Sequence, residues 1–600
     1  MNKFISKFFY VTRGKHKAFI AISCLFVVSS MFEMLGVGLM GPFAAMVTEA
    51  DFIKNTSWLA AVYDRFSFNS PQQFILFFGI FTIIAFYLKA SLGFISQKAI
   101  AEFSHSLKGN LSSKLMKSYL SAPYTLHLTK NSADLVQSVI TFTDRFCIGL
   151  VLSLLTAISN AVVIIALVSL LVATNAAASV GIALVLLVSL AVLNPLKDRL
   201  ARWGKNGFDA SAEMIRILNH GLGGLKETRI IGCEPYFEAQ MTEAANKYAK
   251  NMALADGFSN LPRYVVEAVI ISFLIVFAFL FVTFNQGDTQ NLTSIFGIFA
   301  IASIRLLPAT GNTIGCISVI RYNIHSLDSL YSELKEAEKN EAANKSIDRD
   351  LSLPLSGESQ PAKLNFQQQI SLENLVYKYP NAETNALNNI NLTIEKGHSI
   401  GLIGKSGSGK TTLVDVLMGL LSPQNGDISV DGVSVKDKIR AWQNLIGYVP
   451  QSIFLIDDTL ERNIAFGVPD SQIDRQRVEK AIAAAQLTEV VERLPMGLNT
   501  AVGERGVLLS GGQRQRVGIA RALYHEKEIL VFDEATAALD NETENLITDA
   551  TKALSGSKTI IIIAHRLSTI EHCDQIYQLE NGHILKSGNY QEVVLDQALS

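Results

Sequence analysis

Between Gly404 and Thr411 the chain reads Gly-Lys-Ser-Gly-Ser-Gly-Lys-Thr. Glycines at this spacing let successive backbone N–H groups converge on an anion. Lys410 supplies positive charge to β- and γ-phosphates, and the Thr411 hydroxyl suits Mg²⁺. The run follows the strand-like Ser399–Ile403 and precedes a helical stretch from Thr412 to Leu421, the setting a phosphate loop requires. Lys405, Ser406, Gly407, Ser408, Gly409 and Thr412 complete this set of candidate nucleotide contacts. Downstream, Ile529–Phe532 is an apolar run ending in Asp533 and Glu534. A carboxylate at such a strand tip can hold Mg²⁺ directly or through water, and the next one can take the proton of an attacking water. Between the two lies Leu509-Ser510-Gly511-Gly512-Gln513, a polar turn leading into a helix, whose hydroxyl and helix-start N–H groups can hold an anion.

The order of these three motifs resembles that of ATP-binding-cassette (ABC) ATPases, and the resemblance covers the cytoplasmic half residue by residue. It implies that Tyr379 stacks on adenine and that Gln451 senses Mg²⁺ and lines the groove that takes the coupling turns. It implies that His565 contacts the γ-phosphate, that Glu534 is the catalytic base, and that Gly503–Gly506 is the short segment found in exporters before the signature. Ala538-Leu539-Asp540 matches the loop that meets the opposite subunit. In that family Ser510, Gly511, Gly512 and Gln513 serve the ATP held by the other chain, so the resemblance implies a homodimer with two hydrolytic sites and a need for ATP and Mg²⁺.

These motifs must be positioned by a much larger chain. Six hundred residues suit two or more domains, and 49% apolar against 18% charged content points to a membrane portion. A net charge of −2 gives no sign of nucleic-acid binding. Cys24, Cys147, Cys233, Cys316 and Cys573 are scattered, with no metal knuckle, redox pair or disulfide framework. The basic start, Met1–Lys17, precedes an apolar run too long for a signal-peptide core, so it reads as a retained first span.

Apolar stretches of spanning length fall at about 18–47, 72–96, 146–172, 177–196, 265–284 and 292–319. Lys and Arg number five in the N-terminal tail, six after span two and ten after span four; the other connections hold two, none and none. Both chain ends are therefore expected in the cytoplasm. The basic connections keep helical apolar spacing, which predicts that spans two to five run on into the cytoplasm and turn near Leu126–Asp134 and Ile215–Gly224. Outside, Trp58, Leu59, Val62, Tyr63 and Phe66 share one helical face, fit either to lie on the outer leaflet or to pack on the spans. Glu33, Lys89 and Arg305 are charges within spans, where charge is costly. Glu33 is expected to pair with Lys89 or Arg305 along an inward-facing cavity, with snorkelling of the two cations as the alternative.

The resulting layout is an all-α membrane domain at 1–325, a linker at 326–369 and an α/β domain at 370–600 with a mainly parallel sheet. It resembles the exporter class of half-transporters. Phe32–Gly38, Gly223–Gly232 and Ile304–Pro308, with the outer amphipathic piece, are similar to the bacterial flippases of lipid-linked oligosaccharides. That finer resemblance implies a polyprenyl-diphosphate-linked glycan as cargo in a bacterial inner membrane. Export of a lipid A-like lipid, a hydrophobic drug or a peptide by the same machine is the alternative, followed by an ATP-gated regulator or channel and by a soluble ATPase on a membrane anchor.

Overall fold

A computed structural model describes residues 2–48, 52–174, 197–284, 289–345, 364–380, 382–534, 549, 552–564 and 566–595. The chain divides into two compact units, Met1–Leu120 with Ser132–Glu338, and Ser121–Asn131 with Lys339–Ser600.

The first unit is helical throughout its described residues. A backbone in lipid must satisfy its own polar groups, and a continuous helix does so. Three described helices are long and apolar enough to cross a membrane: His16–Val47, Pro71–Leu120 and Asp134–Ala173. The expected fourth span lies outside the described residues, and helix Lys197–Gly223 is the next described element. The fifth and sixth expected spans fall within helices Glu234–Phe284 and Thr289–Lys345. At 50 residues, helix Pro71–Leu120 measures about 75 Å, well over twice a hydrocarbon core. Its excess length is an extension beyond the membrane of the kind that the apolar spacing predicts.

Small residues set the helix crossings. Gly79 lies against the Phe43 ring, Gly38 against Leu170, and Gly36 against Phe86 and the stem of Lys89. Further down, a Cβ on Gly149 would fall 2.5 Å from the Asn323 side chain, and one on Gly204 2.0 Å from the Tyr322 ring. The Tyr322 ring of helix Thr289–Lys345 thus packs directly on helix Lys197–Gly223 at Gly204. Beside them the helix leading into the third span carries two π-helical segments, Ser138–Phe142 and Arg145–Leu152. Polar ties hold the last helix from two sides: Tyr10 donates to Glu338 at 2.5 Å, Tyr119 to Glu333 at 2.8 Å, and Lys7 pairs with Asp328 at 2.7 Å.

Both turns overlap their expected places. The first occupies 121–131 and carries a short helix, Tyr124–Thr129. The second opens at Gly224, at the end of the expected stretch, where helix Lys197–Gly223 gives way to the short helix Leu225–Ile231. The helix runs on through Gly221 because the Phe237 ring covers that glycine. It stops at Gly223, and the short helix Leu225–Ile231 that follows ends where Gly232 takes a left-handed φ of 73° as its cap. Helix Thr289–Lys345 likewise extends past 326, so the segment expected as linker begins as helix.

The second unit is an α/β domain. An antiparallel sheet runs β2-β1-β4-β5, from β1 (Gln369–Tyr377), β2 (Leu387–Glu395), β4 (Asn425–Val430) and β5 (Val433–Ser434). A second sheet runs β10-β9-β3-β8-β7-β6, from β3 (Ser399–Ile403), β6 (Ile446–Val449), β7 (Ile529–Asp533), β8 (Thr559–Ile563), β9 (Gln575–Glu580) and β10 (His583–Gly588). All its pairings are parallel except β9 with β10. Strands β3, β7 and β8 are buried along their whole length, as their unbroken apolar runs dictate. Helix Lys410–Leu417 fills the space between the sheets, where the buried Trp442 donates to Leu417 O at 2.6 Å.

The close crossing at Gly204 gives a direct test. Gly204→Ala is expected to destabilise the full-length protein by roughly 1–3 kcal/mol through overpacking against Tyr322. Adding Tyr322→Leu recovers most of the loss. Thermal unfolding in detergent measures both, and an unchanged midpoint for the single variant would contradict the packing.

Candidate functional site

The carboxyl ends of the parallel strands gather the candidate residues on one edge, where open α/β sheets bind ligands. β3 delivers Gly404, β6 leads through Pro450 to Gln451, and β7 ends in Asp533 beside Ile563 of β8. In the loop after β3, Gly404 has φ 148°, and a Cβ there would fall 2.3 Å from Leu579 O. Gly409, at φ 104°, caps helix Lys410–Leu417 where a Cβ would fall 2.8 Å from Ala386 O. No side chain fits either position, so the loop backbone stays bare toward the helix start.

Lys410 is only 5% exposed, and its Nζ donates to the carbonyls of Gly404 at 2.8 Å and Lys405 at 3.2 Å. Burial lowers its pKa, opposed by the nearby Glu534 and Asp533 carboxylates. Ser408 Oγ is buried with no hydrogen-bond partner. An ammonium on bare carbonyls and an orphaned hydroxyl in a glycine cradle fit an entering polyphosphate. Tyr379 OH lies 3.1 Å from Thr412 Oγ1, and its ring meets Tyr377 edge-on.

Opposite the loop, Tyr448 donates to Asp533 Oδ2 at 3.1 Å and Gln451 Nε2 donates to Glu534 Oε2 at 2.6 Å. Glu534 sits in left-handed backbone, φ 50°, which turns it off the end of β7. Such a conformation in a non-glycine residue is costly and marks a position held by its surroundings. Here the Glu534 N–H donates to Ile563 O at 3.1 Å. Burial raises the Asp533 pKa, partly countered by the Tyr448 hydrogen bond, and burial with Asp533 pushes the Tyr448 phenol up. Thr411, Asp533 and Gln451 present the hydroxyl, carboxylate and amide oxygens that suit Mg²⁺.

Ser510, Gly511, Gly512 and Gln513 lie elsewhere in the unit. Ser510 caps helix Gly511–Tyr524 in a reciprocal box: Gln513 N donates to Ser510 Oγ at 3.2 Å and Ser510 N to Gln513 Oε1 at 2.8 Å. No hydrogen bond or ion pair among the described residues links this turn to the loop at 404–411. His565 and Ala538-Leu539-Asp540 lie outside the described residues.

Two residues absent from the sequence reading stand next to the site. The turn at 121–131 brings Tyr124 beside Tyr379 and Asp415, both of which act on its phenol after burial has raised it. Asp415 itself is pushed up to about 6 by burial and by Asp533. It sits inside the helix after the phosphate loop, where an acid in an apolar helix carries no motif.

Of the intramembrane charges, Lys89 Nζ lies 2.5 Å from Glu33 Oε1, both largely buried, with the ammonium also over the Phe86 ring. The Arg305 side chain lies outside the described residues. Between the first two spans, helix Ser57–Arg65 buries Leu59 and packs Tyr63 on Phe74, while Trp58 and Phe66 stay 47% and 62% exposed. One face therefore packs on the spans and leaves aromatic surface outward.

Residues 387–537 match the family model described as ABC transporter. The chain is 30% identical over 490 residues to the ATP-dependent lipid A-core flippase of Ralstonia nicotianae, covering 81% of this chain and 79% of that one. It is 31% identical over 491 residues to the protein of the same name from Cupriavidus pinatubonensis, covering 80% and 79%. Its fold is similar to that in "Structure of a bacterial Atm1-family ABC exporter with ATP bound", with TM-score 0.71, 20% identity and 97% coverage of each chain. The fold and site define an ABC exporter half-transporter. The chain belongs to the ABC transporter family and couples ATP hydrolysis to transport.

The buried Asp415 makes stability pH-dependent. Its folded pKa of about 6 exceeds the usual 3.8, so the folded form holds the proton more tightly and stability falls as pH rises from about 4 to 6. Asp415→Asn is expected to stabilise nucleotide-free protein by roughly 1–2 kcal/mol at pH 7.5 and by nothing near pH 4. Unfolding midpoints at the two pH values check this. Equal shifts at both would contradict it.

Proposed function

We propose that this protein flips a phosphorylated, lipid-anchored saccharide of the lipid A type from the inner to the outer leaflet of a bacterial inner membrane. The observation that carries the cargo class is similarity to named lipid A-core flippases over about four fifths of both chains, which takes in membrane sequence as well as the ATPase. A lipid-linked oligosaccharide is the second reading. It draws on Phe32–Gly38, Gly223–Gly232 and Ile304–Pro308, and on Trp58 and Phe66 exposed in the outer hairpin. The relatives' names favour the first.

Two copies form the working unit, with both termini and the ATPase units in the cytoplasm. The loop at 404–411 wraps the β- and γ-phosphates of ATP, and Lys410 leaves its carbonyl partners for them. Tyr379 stacks on the adenine. Ser510, Gly511, Gly512 and Gln513 of one copy close over the γ-phosphate held by the other. Thr411, Asp533 and Gln451 would hold Mg²⁺, which adds positive charge at the phosphate oxygens. Glu534, steadied by Gln451, takes a proton from water as its oxygen bonds to the γ-phosphorus. The bond to the ADP oxygen breaks, and Lys410 with His565 offsets the negative charge on the phosphoryl group. The turn at 121–131, set beside Tyr379 and Asp415, transmits closure to the spans.

Proteoliposomes test this. ATP-driven transfer of a lipid A-type amphiphile is expected, exceeding that of a lipid-linked oligosaccharide. Glu534→Gln should bind ATP normally and lower hydrolysis and transfer at least 100-fold. Equal hydrolysis by variant and wild type would remove Glu534 as the base, and ATP turnover with no lipid transfer would sink the flippase reading.

A further inference from the structure

The first unit holds a cavity of about 350 Å³ that none of the nucleotide chemistry uses. Arg145, Lys205, Arg321 and His325 line it, together with the rings of Phe208 and Tyr322. The Arg145 guanidinium is spread over Phe208 at 4.2 Å and lies 5.6 Å from the Tyr322 centroid. These contacts use its faces and leave its N–H edges for a ligand. None of Arg145, Lys205 and Arg321 pairs with a carboxylate among the described residues, and Asp209 is the one carboxylate in the lining. Three fixed cations against one anion leave an uncompensated positive site.

The site is built rather than incidental. Three separate helices meet there, the Asn323 side chain packing on Gly149 and the Tyr322 ring on Gly204 with no room for a Cβ on either glycine. Arg145 opens a π-helical segment, a distortion found often at functional positions. Its depth matters too. Arg145 directly precedes the third span and Arg321 lies just past the sixth, while Lys205 is about 14 Å beyond the fourth on a 1.5 Å rise per residue. That is the level of the cytoplasmic headgroups. Arginine forks match phosphate oxygens, and the aromatic wall suits the sugar or acyl portion next to them.

We infer that this cavity is an entry site that takes the phosphate-bearing head of an amphiphile from the inner leaflet before translocation. The inference rests on the flippase reading, so binding and flux are scored separately. The binding arm uses full-length Glu534→Gln protein in nanodiscs of phosphatidylcholine, titrated with diphosphorylated lipid A or with its dephosphorylated form. Adding Lys205→Gln and Arg321→Gln together should weaken the diphosphorylated lipid at least 10-fold. The dephosphorylated lipid should bind weakly and equally to both proteins, and Arg321→Lys should retain most of the affinity. The same pair of changes in otherwise wild-type protein should leave basal ATP hydrolysis and the unfolding midpoint unchanged.

Unchanged affinity in the doubly substituted protein would overturn the inference, as would an equal loss for the dephosphorylated lipid. Displacement of the lipid by inorganic phosphate below about 1 mM would assign the cavity to the free anion and overturn the lipid source. Absence of flux in wild type, with the binding difference intact, would overturn the flippase reading and leave the binding site standing.

Discussion

A buried lysine with only carbonyl oxygens to rest on is the constraint around which the nucleotide-binding unit is arranged. Taking an ammonium out of water is costly unless it gains partners. Lys410 gains two carbonyls from its own loop and the field of Asp533 and Glu534 beyond it. Holding those groups in place requires the fully buried strands β3, β7 and β8, the bare glycines 404 and 409, and the strained backbone of Glu534. The unit is thus folded around an anion of stated size and charge. A polyphosphate relieves the lysine and the orphaned Ser408 hydroxyl together.

The same site is linked outward through Tyr124 and Asp415. Asp415, on the phosphate-loop helix, interacts electrostatically with Asp533 at the strand tip and with Tyr124 of the turn at 121–131. In the membrane unit the problem of buried charge is met differently. Glu33 and Lys89 neutralise each other at 2.5 Å, whereas the cations around the Phe208 and Tyr322 cavity stay uncompensated. The first arrangement suits a structural tie and the second a binding site.

The nucleotide half was largely legible in the sequence because its chemistry is local. Loop, strand tip and signature are each written in a few adjacent residues, and the apolar runs flanking them can only be buried strands. What escaped was set by distant contacts. The packing of the Tyr322 ring on Gly204 joins residues far apart in the chain. Tyr448 carries no signal of its own, and its bond to Asp533 depends on the pairing of β6 with β7. The basic cavity draws on three stretches far apart in the chain, and each of them alone reads as an ordinary cytoplasmic helix.

The separation of the signature turn from the phosphate loop within one chain carries the central claim, that two copies share each ATP. A variant with Ser406→Cys, Ser510→Cys and Glu534→Gln, its five native cysteines replaced by serine, tests this by oxidative cross-linking. With ATP present the account predicts a disulfide-linked species of twice the 65.6 kDa chain mass, and little of it without ATP. A cross-link formed within single chains, independent of ATP, would contradict it.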